Sequence, residues 1–525
     1  MPIAPRAALH VGRGRKTSVI SDHQPLRLRR SDALPRTDVS EAGTGAVQIG
    51  WVATIGLGVF ALNLFISRYL FWDSYYDLAA GRYVAEHGIP HHEVFTIEGR
   101  SRPWIDQQWL AHWLYYEAWR LGGYPLLAVV SSVLVAGGFA ALAALMTRFG
   151  VHPQRALLWV TVAYVACLGN TVIRAQSFAY PLFLALFWIV LVDSRRQRFA
   201  WPVALTLPLL VFWSNVHGTV ALAAALVAGY GLWRAGVSAR RARLRDACAY
   251  TAVAVAAPLT IFANPYGFSV REYCAALISN PVVQHYDLEW RHPSLASPWS
   301  WGFFALLAAV LLSLLYSWRR KVRPDPVVFA IAASLLALAS QGVRYQAWFA
   351  LAAAILGARS VAAAGGGPGP LPALVRRAGG AAIAVAVAVS LVVVLLTSDA
   401  AFEQLSPEAA LAATGAYLER HPAARILADA DASSALLWTQ PRSIGHVAFD
   451  ARLEQFPQGR LRRWFEFMAM NTPTWQQLAD GYDAIVVTRR THPGLVDALR
   501  RERVWRIAFE DAGGVLFVRR VPTWR

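Results

Sequence analysis

The stretch AVQIGWVATIGLGVFALNLFISRYLFWDSYYD, residues 46–77, decides the fold class of this chain. Its apolar part ends at Trp72 and is long enough to cross a bilayer as one helix. A carboxylate, Asp73, follows directly, and a second one, Asp77, comes about one helical turn later. A charge at a membrane boundary indicates either the cap of a short interfacial helix or a functional site.

The composition extends this pattern to the rest of the chain. Of its 525 residues, 56% are hydrophobic and 16% are charged. Apolar blocks alternate with short polar loops, which predicts a multi-span α-helical membrane protein with about eleven transmembrane helices. The predicted spans are 47–71, 124–146, 155–169, 177–193, 200–213, 215–234, 246–263, 300–317, 326–340, 345–358 and 379–397. The net charge of +18 is therefore interpreted through the membrane, and no nucleic-acid partner is expected.

Charge asymmetry predicts the orientation of these spans. Alternate loops such as TRFGVHPQR, DSRRQRF and SWRRKVRPD carry the arginines, as the positive-inside rule requires of cytoplasmic loops. Residues 1–46 are predicted to be a disordered, basic cytoplasmic tail, and residues 47–398 a transmembrane domain whose first outer loop covers 72–123. We therefore expect a multi-pass protein of the cytoplasmic (inner) membrane, with its amino terminus inside and residues 399–525 outside.

Residues 399–525 have the composition and rhythm of a globular domain. The segments RILADAD, SIGHVAFD, DAIVVT, VWRIAFED and GVLFVRR are predicted strands, and SPEAALAATGAYLERH, TWQQLADG and HPGLVDALRRE are predicted helices. Asp511-Ala512-Gly513-Gly514 is a predicted hairpin turn. This alternation predicts a periplasmic α/β domain, and since no glycine-rich loop follows a strand, no nucleotide cofactor is predicted.

Two arginines stand in short outer loops beside the spans. The positive-inside rule would remove Arg174 and Arg344 from such loops if they had no use there. A guanidinium suits phosphate, and the flanking apolar spans suit a long hydrocarbon tail. These residues predict a lipid-phosphate site, with snorkelling to the interface as the alternative for each arginine.

Five further polar residues are predicted to bind substrate: Asp77, Asn215, His217, Asn264 and Glu289. Each has a structural alternative, either as a cap or packing group or, for Glu289, as part of a solvated loop. Glu289 stands beside an indole, and this pair would suit a sugar, because a carboxylate accepts from hydroxyls and a ring face stacks on the sugar.

No metal site is predicted, although a divalent metal stays possible. The adjacent histidines His91 and His92 precede Glu93, but neighbouring side chains in an extended loop rarely converge on a metal without a third placed ligand. The three cysteines, Cys167, Cys248 and Cys274, show no metal-binding or disulfide spacing.

The first loop resembles a known family. Its Asp73, Gly88-Ile89-Pro90 and Trp109-Leu110, with the later motifs WSNVHG (213–218) and NPYG (264–267), are similar to bacterial members of the GT-C superfamily of integral-membrane glycosyltransferases. That branch includes lipid A aminoarabinose transferase and protein O-mannosyltransferases. In better-known members a second acid follows the aspartate, whereas here Ser74 stands.

The resemblance implies an inverting transferase that takes a sugar from a polyprenyl-phosphate donor at the outer face and modifies an envelope glycan, lipid or protein. It implies Asp73 as the general base. Two other classes stay open: a transporter or flippase for a lipid-linked anion, and an inactive GT-C-like scaffold subunit. The gathering of charged groups at one face disfavours transport, and Ser74 keeps the scaffold open.

Overall fold

The predicted apolar segments all contain helices in the computed structural model, which describes residues 41–100, 102–365 and 372–520. Residues 1–40, most of the predicted cytoplasmic tail, lie outside this range. The helices up to residue 396 are α1 (Glu41–Ile66), α2 (Trp72–His87), α3 (Trp109–Arg148), α4 (Pro153–Cys167), α5 (Ala179–Ser194), α6 (Thr206–Trp213), α7 (Val220–Arg240), α8 (Leu244–Leu259), α9 (Val270–Ile278), α10 (Pro281–Tyr286), α11 (Trp301–Arg319), α12 (Pro326–Ala339), α13 (Gln346–Ala363) and α14 (Ala373–Leu396).

The multi-span character of the chain follows from the length of these helices. In the described part of the chain, 7 helices are long and apolar enough to cross a membrane, or up to 8 if the bent pair Leu244–Phe262 and Gly267–Ala276 is one span. The segments Trp201–Trp213 and Pro326–Ala339 are shorter apolar helices. The predicted count of about eleven is therefore not confirmed, and the orientation stays a prediction.

Two glycines shape the first outer loop. Gly123 has φ +65°, in the left-handed region that glycine tolerates best, and it kinks α3 between its first part and the longer apolar part that follows. Gly81 lets α2 approach α3 closely, because a Cβ at this position would overlap the carbonyl of His112. The sequence between 72 and 123 thus forms two short helical arms that pack against each other.

The region after residue 398 contains a four-stranded sheet and helices. Its elements are α15 (Asp399–Phe402), α16 (Glu408–Arg420), β1 (Ile426–Ala428), α17 (Ala430–Thr439), α18 (Gln458–Ala469), β2 (Ala484–Thr488), α19 (Pro493–Arg501), β3 (Trp505–Glu510) and β4 (Gly514–Arg519). The strand order is β1-β2-β4-β3, with β1 and β2 parallel and the other pairs antiparallel. Asp511 closes the predicted hairpin by accepting from the amides of Gly513 (2.9 Å) and Gly514 (2.8 Å).

The prediction of a strand in SIGHVAFD is wrong. Val447 forms only isolated bridges, to Thr96 and to Ile426, and its carbonyl accepts from the amide of Ile97 at 2.8 Å. The segment therefore contacts both the first loop and strand β1 without forming a strand of its own. The predicted helix TWQQLADG is a 3-10 helix, Trp475–Gly481, while α17 and α18 were not predicted.

The C-terminal region packs directly on the first loop. Arg82 of α2 donates to the carbonyls of Leu437 (2.7 Å) and Trp438 (3.1 Å) at the end of α17. Trp438 in turn donates from its indole to the hydroxyl of Tyr124 at 2.8 Å. Residues from Val47 onward form one compact unit, so this region supplies part of the wall of the cleft described next.

Candidate active site

A cleft of about 940 Å³, partly open to solvent, lies where these segments meet. The start of α2, the loop before α3, the turns before α5 and α13, and residues 451–455 all contribute to its lining. The lining includes six of the predicted site residues: Asp73, Asp77, Arg174, His217, Glu289 and Arg344. Side chains that are distant in sequence are therefore brought to one cavity at the amino-terminal ends of α3, α5 and α13.

Asp73 stands in the first turn of α2, and its side chain is 28% exposed. Its Oδ2 lies 3.6 Å from Nε of Arg174, which precedes the helical turn leading into α5. Burial raises the pKa of Asp73 to about 7; Arg174 opposes this rise, and the negative charges of Glu289 and Asp77 add to it. A carboxylate with this pKa can hold or release a proton near neutral pH.

Arg174 is paired on two sides. Its Nη1 donates to Oε1 of Glu289 at 2.5 Å and its Nη2 to Oε2 at 3.3 Å, a forked pair. Burial opposes the charge of Glu289, but the nearby Arg174 and Arg344 outweigh it and lower the pKa of Glu289 to about 2. Arg174 therefore lies inside the cleft, with its side chain only 12% exposed, and does not snorkel.

Arg344 is the less occupied of the two arginines. It belongs to the short turn before α13, and its guanidinium carbon lies 4.2 Å from the ring centroid of Trp290. No carboxylate of the described residues forms a salt bridge with it. The stacking fixes the guanidinium plane while its N–H groups stay available, which is the arrangement that an anionic ligand needs.

A buried cluster of ionisable groups lies next to the cleft. His112 of α3 lies between two carboxylates, with Nε2 3.1 Å from Asp77 and Nδ1 2.9 Å from Asp106. The other oxygen of Asp77 accepts from the amide of Ala175 at 2.8 Å, directly after Arg174. The substrate-binding role predicted for Asp77 is therefore not favoured, because its carboxylate is occupied in holding the turn that carries Arg174.

The three remaining predicted residues divide into two groups. His217 lines the cleft; its Nδ1 accepts from the amide of Thr219 at 3.2 Å, and burial lowers its pKa well below the usual 6.5, so the ring is neutral. Asn215 and Asn264 lie outside the lining. Asn215 donates to the carbonyl of Ala263 (2.9 Å), and Asn264 to that of Ser214 (2.8 Å). These two amides join the loops after α6 and α8, which is a structural role.

The C-terminal region closes one wall of the cleft through Arg452. This side chain is 5% exposed and lies 2.7 Å from Glu93 of the first loop, while it also pairs with Asp450. Its guanidinium lies 4.7 Å from the ring centroid of Trp104. Trp104 is therefore buried in this wall.

The metal alternative has no support from this arrangement. Glu93 uses its carboxylate to accept from the amides of Phe95 (2.8 Å) and Thr96 (2.7 Å) and to pair with Arg452. Within residues 41–100, 102–365 and 372–520, no group of three or more His, Cys, Asp or Glu side chains is arranged to hold a metal ion.

No family model and no curated protein matches this chain, but solved structures do. The archaeal oligosaccharyltransferase AglB from Archaeoglobus fulgidus, in complex with an inhibitory peptide and a dolichol-phosphate, gives a TM-score of 0.51 at 10% identity over 92% of this chain and 75% of that chain. The Archaeoglobus fulgidus oligosaccharyltransferase in its apo form gives a TM-score of 0.51 at 11% identity, over 85% of this chain and 70% of that chain. ArnT from Cupriavidus metallidurans bound to undecaprenyl phosphate gives a TM-score of 0.46 at 14% identity, over 91% of this chain and 98% of that chain. The likeness to the oligosaccharyltransferase confirms the fold that the first-loop motif predicts.

Proposed function

Because this chain has the fold of the GT-C glycosyltransferases, we propose that it is an inverting glycosyltransferase that uses a polyprenyl-phosphate sugar at the outer face of the cytoplasmic membrane. The observation that carries the proposal is the single cleft shared by Asp73, Arg174 and Arg344. The oligosaccharyltransferase with this fold was solved with a dolichol-phosphate, which belongs to the same class of lipid phosphate.

In this proposal Arg344 holds the donor phosphate. Its guanidinium is stacked on Trp290 and forms no salt bridge with a carboxylate of the described residues. Negative charge grows on the phosphate as the sugar leaves it, and a cation already in position stabilises that charge. Arg174 shares its charge between Glu289 and Asp73, so its first task is to hold these two carboxylates in place.

Asp73 acts as the general base. An acceptor hydroxyl attacks the anomeric carbon from the face opposite the phosphate, and its proton passes to the Asp73 carboxylate. The new carbon–oxygen bond forms as the bond between sugar and phosphate breaks, and the phosphate leaves with the electron pair. The raised pKa of Asp73 suits proton transfer near neutral pH, where base strength and the ionised fraction are balanced.

The neutral His217 and the partly exposed Glu289 are the groups proposed to contact the sugar. A carboxylate and an imidazole N–H match hydroxyl donors and acceptors. The acceptor is proposed to be a hydroxyl-bearing glycan, lipid or protein of the cell envelope, which reaches the cleft from its open side.

The test is transfer by the purified chain in sealed proteoliposomes, with a panel of polyprenyl-phosphate sugars labelled in the sugar and an envelope extract as acceptor source. Release of polyprenyl phosphate together with label in the acceptor, both lost in Asp73→Asn, supports the proposal. Movement of intact donor across the bilayer would indicate a flippase. Binding of donor without release or movement, with the same result for Asp73→Asn, would indicate a scaffold.

A further inference from the structure

A second cavity lies at the other ends of two of the helices that form the cleft. It has about 870 Å³ of empty space, partly open, and its lining includes Phe149, Arg323, Asp325, Leu356 and Arg359. Arg344 precedes the first residue of α13 and Arg359 lies near its end. At 1.5 Å per residue, the step from Arg344 to Arg359 separates the two cavities by about 20 Å along the helix axis.

Arg359 is only partly satisfied in this cavity. Its Nη2 lies 2.9 Å from Oδ2 of Asp325, while its Nη1 is buried without a hydrogen-bond partner in the described residues. Asp325 also caps α12, because its Oδ1 accepts from the amides of Val327 (3.0 Å) and Val328 (3.2 Å). The carboxylate that pairs with Arg359 therefore divides its two oxygens between this arginine and the start of α12.

Other arginines gather around Arg359. The guanidinium of Arg195 lies 3.9 Å from the ring centroid of Phe149, and that of Arg359 lies 5.2 Å from the same centroid. Burial lowers the pKa of Arg195, and the positive charges of Arg359 and Arg148 lower it further. Arg323 also lines the cavity. In the described part of the chain Asp325 is the carboxylate that pairs with this group, so the cavity keeps an excess of positive charge.

We propose that this cavity binds a phosphate group, with Arg323 and Arg359 around the phosphate oxygens and Leu356 and Val328 against the carbon part of the ligand. Arginine forks match phosphate oxygens, and Arg323 lines the cavity without an ion pair among the described residues. The phosphate comes either from the headgroup of an anionic lipid or from a soluble molecule. The site is independent of the transferase proposed above, since it shares no residue with the cleft.

The experiment uses the full chain in detergent with two probes. The first is phosphatidylglycerol, compared with phosphatidylcholine and counted by native mass spectrometry; the second is inorganic phosphate, measured as a shift in thermal unfolding against an equal concentration of chloride. Arg323→Gln is the variant, because it removes a cavity-lining arginine without removing an ion pair of the described residues. Arg240→Gln, an exposed arginine at the end of α7, is the control.

We expect the wild type and Arg240→Gln to bind one probe equally and Arg323→Gln to bind it about tenfold more weakly, as loss of a charge-assisted hydrogen bond predicts. Binding of phosphatidylglycerol that phosphate does not displace identifies a lipid headgroup, and stabilisation by phosphate alone identifies a soluble ligand. Equal binding by wild type and Arg323→Gln, equal binding of the two lipids without any effect of phosphate, or no binding of either probe would overturn the proposal.

Discussion

Arg174 and Glu289 form a forked ion pair across the cleft, with nitrogen–oxygen distances of 2.5 Å and 3.3 Å. The same arginine lies 3.6 Å from Asp73, so one cation connects the proposed base with a carboxylate from a different loop. The protonation of Asp73 is therefore coupled to the charge of Glu289.

Glu289→Gln should shift the pH dependence of transfer. The negative charge of Glu289 raises the pKa of Asp73, and its removal should lower that pKa. The acid limb of the pH–rate profile should therefore move to lower pH, as measured by kcat/KM for the donor between pH 4 and about 9. If the acid limb stays at the same pH in this variant, a group other than Asp73 determines it.

Asp73→Asn should lower turnover by about 10²–10⁴-fold, because the amide cannot accept the proton of the acceptor. In the wild type the base must be ionised, so activity should fall as the pH drops below about 7, the pKa of Asp73. The variant should keep its thermal unfolding profile and lose this acid limb. Full activity in Asp73→Asn would remove Asp73 from the mechanism.

Arg344→Ala should weaken donor binding by roughly tenfold or more, the effect of losing a hydrogen bond to a charged group. Arg344→Lys should recover only part of the affinity, because an ammonium keeps the charge but loses the fork and its stacking on Trp290. Arg291→Ala is the control, since Arg291 is an exposed arginine of the neighbouring loop. Equal donor affinity in all three variants would show that Arg344 does not contact the donor phosphate.

His112→Gln should destabilise the protein by about 3–5 kcal/mol, because it removes the cation between two buried carboxylates. Thermal and denaturant unfolding in detergent would measure this loss. The double variant Asp106→Asn with His112→Gln should be more stable than His112→Gln alone, since one uncompensated charge is then gone. A double variant that is less stable would show that repulsion between the carboxylates is not the cause.

Arg452→Met should also cost about 3–5 kcal/mol, because it leaves Glu93 and Asp450 buried without their cation. Arg460→Met is a matched control in the same region: Arg460 pairs with Glu98, but its side chain is 48% exposed, so the expected cost is about 0–1 kcal/mol. Similar decreases in the free energy of unfolding in the two variants would show that the buried ion pairs of Arg452 are not the cause.

The sequence predicted the helices and the gathering of polar groups well, because both follow from strong local signals. Long apolar runs specify helices, and arginines that break the positive-inside rule point to a special environment. Arg174 and Arg344 do line one cleft with Asp73. Their roles in binding and catalysis stay predictions.

What the sequence did not predict depends on contacts between distant segments. In the sequence, His112 is one residue of an aromatic, amphipathic stretch, and nothing nearby indicates an ion pair with α2. Its structural role depends on Asp77, which lies on α2 and contacts the ring. Asn215 and Asn264 read as possible ligands, yet their partners are carbonyls from neighbouring loops. The start of α17 was readable in principle, since Asp429 caps it by accepting from the amide of Ala432 at 2.8 Å.

The position of Arg452 has a consequence for how the protein is made. The cleft wall at residues 451–455 rests on a sheet whose strand β4, Gly514–Arg519, pairs with both β2 and β3. The last apolar helix of the chain ends at Leu396, more than a hundred residues before β4. When that helix leaves the ribosome, the strand that completes the sheet has therefore not yet been synthesised. The sheet behind the cleft wall can therefore be completed only after Arg519 has left the ribosome, which is later than the synthesis of every apolar helix.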